Sequence, residues 1–155
     1  MTPLTFHILK PTDEDSIEQI SDWYFKEWTI PKERTIVRLA NHPNNDVVFQ
    51  IVLGKSNKLI ATGGLYNNVG IFQAHPKFKE FSPWVALLYT DAESRNMGFG
   101  RELLGKIEEI AKEKGFKKLY LFTFTAESLY IRAGWRELER VEYKGHDTAV
   151  MEKTI

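Results

Sequence analysis

The stretch "RNMGFGRELL" (95–104) sets an arginine three residues before the first of two glycines, Gly98 and Gly100, and then runs into an apolar pattern of helical spacing. Helix starts leave backbone N–H groups without intrahelical partners, and the aligned peptide dipoles add partial positive charge there. Glycine lets a ligand reach that backbone without meeting a Cβ, and arginine offers a planar fork to phosphate oxygens. The chemistry this spacing permits is anion binding, with a pyrophosphate as a natural guest. The same residues also make a plain strand-to-helix turn with a solvated arginine, and spacing alone leaves both readings open. Two phosphate motifs are excluded, because no Gly-Lys-Ser/Thr follows and the glycines lack the GxGxxG spacing.

Other chemistry-bearing residues are sparse. The chain has no cysteine, which removes disulfides, thiolate catalysis and cysteine metal sites and is compatible with a reducing cytoplasm. His7, His42 and His146 are scattered through the sequence and imply no zinc or other metal site. With 21 basic and 21 acidic residues the formal charge is zero, so broad attraction to nucleic acid or an anionic membrane is not expected.

These residues need elements to position them. Alternation marks a first strand over 4–9, and Thr12 with the acids after it marks a helix start. Ile17, Ile20, Tyr24 and Trp28 recur on one helical face. A second helix is expected near 32–41, strands at 47–53 and 58–67, and a long connection over 68–83. "WVALLYT" (84–90) is almost continuously apolar, as in a central strand covered on both faces. A helix over 97–114 follows, capped by Gly115, then a strand at 117–124, a short helix at 126–134, and strands at 135–143 and 148–155. The expected architecture is one α/β domain over residues 1–155, with a mixed, mostly antiparallel sheet of about six to seven strands flanked by about four helices. The start of the chain lacks a basic segment followed by an apolar run, so no signal peptide is read there, and no apolar stretch is long enough to span a membrane.

"LLYTDAESRNMGFGRELL" resembles the acetyl-CoA-binding motif of the GNAT superfamily of N-acetyltransferases, whose signature is Arg/Gln-x-x-Gly-x-Gly/Ala. "ESLYIRAGW" (127–135) is similar to the family's second motif, in which a tyrosine stands four residues before Gly-Phe/Trp. The order of elements also matches the family fold along nearly the whole chain. The resemblance implies acetyl-CoA as co-substrate. Backbone N–H groups from Asn96, Met97, Gly98, Phe99, Gly100 and Arg101 would hold the pyrophosphate, with Arg95 beside them. Leu88, Tyr89 and Thr90 would pair through their backbone with the pantetheine arm, in a gap where this strand splays from the next. A backbone N–H near Tyr89 would stabilise the oxyanion. Tyr130 would protonate the leaving thiolate, as a phenol still neutral at pH 7 can.

Two positions depart from the family pattern. The strand glutamate that some members use as base, eleven residues before the motif arginine, is Trp84 here. The asparagine that touches pantetheine in many members is Thr123. His75 and Glu27 are candidates for the base, and Glu27, Trp28, Tyr66 and His75 for the acceptor side. Tyr24 and Trp84 add to that aromatic wall, with packing in the core as the other role for Trp84. An aromatic wall with carboxylates suits a cationic or amphipathic small-molecule or peptide amine. The expected activity is acetyl transfer from acetyl-CoA to a primary amine by direct attack, in a cytoplasmic enzyme for which a homodimer is one open oligomeric state. A non-catalytic acyl-CoA-binding module, or a domain whose glycine turn binds nothing, are the competing readings.

Overall fold

In the computed structural model residues 4–155 are described, so the part of the leader reading that falls on residues 1–3 lies outside them. The chain runs β1 (Leu4–Ile8), α1 (Glu14–Trp28), α2 (Lys32–Ala40), β2 (Val47–Lys55), β3 (Lys58–Tyr66), α3 (Ile71–Ala74), β4 (Trp84–Thr90), α4 (Phe99–Glu113), β5 (Lys118–Thr123), α5 (Glu127–Arg132), β6 (Arg136–Tyr143) and β7 (His146–Thr154). All seven strands form one sheet in the order β1-β2-β3-β4-β5-β7-β6. Every neighbouring pair is antiparallel except β4 and β5, the two strands joined through α4.

The helices form because each has an apolar face to bury. A helix of 15 residues is marginal alone in water. α4 is held by Leu103, Leu104, Ile107 and Ala111, all buried against Phe49, Ile51, Leu65, Val85, Leu119 and Met151 of the sheet. It ends as expected: Gly115 adopts φ 94°, and the N–H groups of Gly115 and Phe116 close onto Lys112 and Ala111. On the opposite face, Ile17, Ile20, Trp23 and Tyr24 of α1 pack with Leu39 of α2 against Val52 and Tyr89. The first three residues of the expected α1 stripe are buried, whereas Trp28 stays 41% exposed at the helix end.

Among the described residues five α-helices are present where about four were expected. The additional one, α3, is a single turn inside the long connection, followed by a 3-10 turn over Pro76–Glu80. Four residues are too few for helical periodicity to register in a sequence. Ile71, Phe72 and Phe78 close this segment over Trp84. The tail hairpin turns at Lys144 and Gly145, so β7 begins at His146, two residues earlier than expected.

Candidate active site

The centre of the sheet is a wedge. β4 and β5 pair at a single position, Trp84 with Tyr120. Beyond it β4 continues to Thr90 with β3 on one side only, while β5 continues to Thr123 paired with β7. The two central strands therefore face each other across an opening lined by backbone that no strand occupies. Such an edge offers N–H and C=O groups to an extended guest.

A bulge shapes the β4 side of the wedge. Thr62 pairs with Tyr89 and Gly64 with Ala86, so Leu87 and Leu88 together oppose Gly63. Leu87 takes φ 60°, a left-handed conformation that costs a residue with a Cβ about 1–2 kcal/mol. The glycine opposite is required by close packing, because a Cβ on Gly63 would stand 2.3 Å from Leu88 Cδ2 and 3.2 Å from Leu103 Cδ2. Leu88 thus faces α4, whereas the Tyr89 ring faces α1, 5.0 Å from Trp23 and 6.2 Å from Trp28.

The glycine loop closes the wedge at the end of β4. Asn96 (φ 64°) and Gly98 (φ 82°) both turn through the left-handed region, and α4 starts at Phe99 with no side chain capping it. Its first N–H groups are thereby left to a guest, and a Cβ on Gly98 would meet nothing within 4 Å. Met97 is 65% exposed and points its side chain away from the core. Arg95 is folded back. Its Nε donates to the Thr90 carbonyl at 3.0 Å, its guanidinium lies 5.2 Å from the Tyr89 ring centre, and its Nη2 stands 3.8 Å from Glu27 Oε2. The fold so brings together Glu27, Trp28, Tyr89 and Arg95, residues from two distant parts of the chain.

Tyr130, on α5, packs against the same core cluster as Leu88 of β4 and Phe99 at the start of α4. The helix is tethered at its start by Arg140, which reaches Glu127 at 2.9 Å and also holds Glu137 and Asp147. These hydrogen bonds keep the Asp147 carboxyl below the usual carboxylate range. At its other end Trp135 lies 6.2 Å edge-on to Tyr130, with its indole N–H on Glu108 of α4 at 3.2 Å. The Tyr130 ring packs on the α4 core, and burial pushes its phenol up to about 12. Its hydroxyl has no hydrogen-bond partner in the protein among the described residues. Thr123, at the end of β5, accepts the Ala126 N–H at 3.0 Å and so shapes the turn into α5.

Several expected site residues take other roles. Tyr66 does not wall an acceptor pocket. It is 1% exposed, and its hydroxyl donates to Gln50 Oε1 at 2.6 Å. Tyr24 is likewise buried, with its hydroxyl on the Leu87 carbonyl at 2.6 Å. Trp84 is core as well, its indole N–H donating to Phe81. His75 lies at the surface on the long connection, where Nε2 donates to the Glu142 carbonyl at 2.6 Å and ties that segment to β6. This leaves only Nδ1 able to accept a proton. Sequence reasoning missed the Leu87 bulge and the stacked pair Phe124–His146, 3.9 Å apart at the end of β5. Neither has a local signal, since both arise from pairing between remote strands.

Among the described residues no helix is long and apolar enough to cross a membrane, and no three His, Asp or Glu side chains are grouped as a metal site.

The family described as "Acetyltransferase (GNAT) family" matches this sequence over residues 14–135. No curated protein matches it significantly. Among solved structures, the chain is similar to aminoglycoside 6'-acetyltransferase type Ii, at 15% identity and a TM-score of 0.75, covering 97% of this chain and 96% of that one. An aminoglycoside 6'-N-acetyltransferase complexed with coenzyme A gives 12% identity and a TM-score of 0.76, with the same coverage. The PaiA N-acetyltransferase from Thermoplasma acidophilum, also in complex with coenzyme A, gives 17% identity and a TM-score of 0.68 over 99% of both chains. At such identities these likenesses establish the fold.

Proposed function

The chain belongs to the acetyltransferase (GNAT) family, enzymes that depend on acetyl-CoA, and from that premise we propose that it transfers the acetyl group to a primary amine by direct attack, with Tyr130 as general acid. The observation that carries this reading is the convergence of three features on one wedge. They are the unpaired edge of β4 beyond Trp84, the uncapped start of α4 at Gly98, and the Tyr130 phenol from α5.

Each feature fits one part of the co-substrate. The N–H groups at the start of α4 suit its pyrophosphate, and the β4 edge suits the two amides of its pantetheine arm. Acetyl-CoA, when bound, supplies an activated acyl carbon that a neutral amine attacks, so that an amide forms, a thiolate leaves and the nitrogen releases one proton to solvent. Of the residues here, Tyr130 gives a proton to the departing sulfur, and burial keeps that proton in place at neutral pH. A backbone N–H at the β4 bulge polarises the thioester carbonyl. The rest is positioning, which alone removes much of the barrier between two bound reactants.

The acceptor enters from the side of α1 and the β6–β7 turn, where Trp28 and Phe124 present exposed aromatic surface. Such surface suits an amphipathic or cationic amine. No carboxylate stands on β4, because Trp84 is buried there, which is the one observation favouring a binding-only protein. A thiol-release assay with acetyl-CoA and a mixed amine panel decides between the two. Acetyl transfer gives release that Tyr130→Phe abolishes. Silence from both chains, with coenzyme A still raising the melting temperature, would assign binding alone.

A further inference from the structure

Behind the β4 bulge runs a buried polar chain with no part in the reading above, and of its side chains it is Tyr24 that bonds the bulge. Tyr66 donates its hydroxyl to Gln50 Oε1 at 2.6 Å. The Gln50 amide in turn donates to Thr62 Oγ1 at 2.8 Å and to the Tyr24 hydroxyl at 3.0 Å. Thr62 passes its own proton to the Ile51 carbonyl at 2.8 Å, and Tyr24 donates to the Leu87 carbonyl at 2.6 Å. All four side chains are buried. The direction of the chain is forced. A carbonyl oxygen only accepts, so each of the three hydroxyls that meets one must give its single proton to it, and the Gln50 NH2 supplies the remaining two bonds.

Room for this chain is built into β3. A Cβ on Gly64 would lie 2.5 Å from Gln50 Oε1 and 2.5 Å from the Tyr66 ring. The doublet Gly63-Gly64 therefore serves two faces of one strand. Gly63 admits Leu88 under α4, and Gly64 admits the polar chain under α1.

The end of the chain falls on the one left-handed residue of the central strand. Leu87 has φ 60°, and the peptide joining it to Leu88 is trans, so its N–H points opposite to its C=O. We propose that Tyr24 is a positioning residue for acyl transfer. By holding the Leu87 carbonyl toward α1, it turns the Leu88 N–H away from α1, to the side from which α4 and Tyr130 face the wedge, and makes it the donor to the thioester carbonyl. The inference rests on the acyl-transfer reading and assigns to one peptide the N–H that reading places at the bulge. Burial holds the Tyr24 phenol well above its ordinary value, so the anchor keeps its proton at every pH at which the enzyme would work.

The test uses [1-13C]acetyl-CoA bound to the wild type, to Tyr24→Phe and to Thr62→Val. Thr62→Val removes an equally buried hydroxyl of the same chain that does not touch Leu87. In the wild type the carbonyl carbon moves downfield on binding, as hydrogen bonding to its oxygen requires. In Tyr24→Phe the signal returns toward its free position and kcat falls by about tenfold to a hundredfold, with little change in KM for acetyl-CoA. In Thr62→Val both stay near wild type, even where the melting temperature drops as much. A Tyr24→Phe signal unchanged from wild type, or an equal loss in both variants, overturns the inference. Should Tyr24→Phe not fold, the wild-type Leu88 amide proton reads the same point: it moves downfield on saturation with acetyl-CoA, and a Leu88 amide that stays in place overturns the inference. Failure of acetyl-CoA to bind the wild type would instead remove the acyl-transfer reading itself, and this inference with it.

Discussion

Tyr130 packs partly buried on the core, and the proton-donor role proposed for it is linked to that packing. Packing against Trp135 and the α4 cluster raises its phenol to about 12 by removing the ring from water. A phenol so placed is a weaker acid than a free one, but it cannot lose its proton early. The expected consequence is a pH–rate profile whose alkaline side, below about pH 11, is not set by Tyr130. Replacement by Phe should lower turnover by about 10²–10⁴-fold, as loss of a general acid does, and leave the shape of that profile alone. Coenzyme A should still raise the melting temperature of the variant. Steady-state rates from pH 6 to 10 on both chains check this, and a profile whose alkaline limb shifts in the mutant would count against the assignment. Arg95 shows a second residue with two roles, since its guanidinium staples Thr90, Tyr89 and Glu27 together beside the loop it was expected to charge.

At the scale of elements, the glycine loop separates conformation from binding. Gly98 holds φ 82°, so Gly98→Ala strains the backbone by about 1–2 kcal/mol although its Cβ would touch nothing. Gly100 lies within α4 with only Thr90 Oγ1, at 3.9 Å, near its added Cβ. Alanine is the better helix former by about 1 kcal/mol, so Gly100→Ala should melt at the same or a higher temperature. It should nonetheless bind coenzyme A more weakly, because the methyl stands over the N–H groups at the helix start. Thermal melts with and without coenzyme A test the pair. If Gly100→Ala keeps full affinity, the pyrophosphate does not approach where this loop suggests. The same logic explains the parallel pair at the centre of the sheet. α4 must return the chain to lie beside β4, but pairing stops after Trp84 and Tyr120, three residues before the Leu87 bulge bends the strand.

For the whole molecule, three phenols tie stability to pH. Tyr24, Tyr66 and Tyr130 are all raised above the ordinary value of 10, each chiefly by burial. The unfolded chain ionises these groups near pH 10 while the folded chain does not. Stability is therefore complete below pH 10 and lost as the pH rises beyond it, by about 1.4 kcal/mol per unit for each group until its folded value is reached. The melting temperature should fall steeply above pH 10, and less steeply between 10 and 12 in Tyr130→Phe. Ligand linkage acts in the other sense. Coenzyme A at a hundred times its Kd should add about 2.7 kcal/mol, and each kcal/mol is worth about 2–4 °C in a chain of this size. No rise at millimolar coenzyme A would exclude the wedge as its site.

The sequence by itself determined what depends on near neighbours. The apolar stripe of α4, its Gly115 cap and the glycine loop after β4 were legible, because helical periodicity and backbone freedom are local properties of the chain, whereas Tyr130 was singled out by the family resemblance. A mixed, mostly antiparallel sheet of about six to seven strands followed from the order of elements, whereas the strand order that ends β5-β7-β6 did not. Only the tertiary structure decided which aromatics are exposed and which are core. Tyr24 and Tyr66 look alike as letters, yet both are buried with their hydroxyls on Gln50 of β2, beside Gly64 on the neighbouring strand β3. Only the fold, too, set Glu27 against Arg95 and placed two residues of β4 opposite one of β3. A bulge, a wedge and a buried hydrogen-bond chain are agreements between remote segments, and periodicity along one segment carries no record of them.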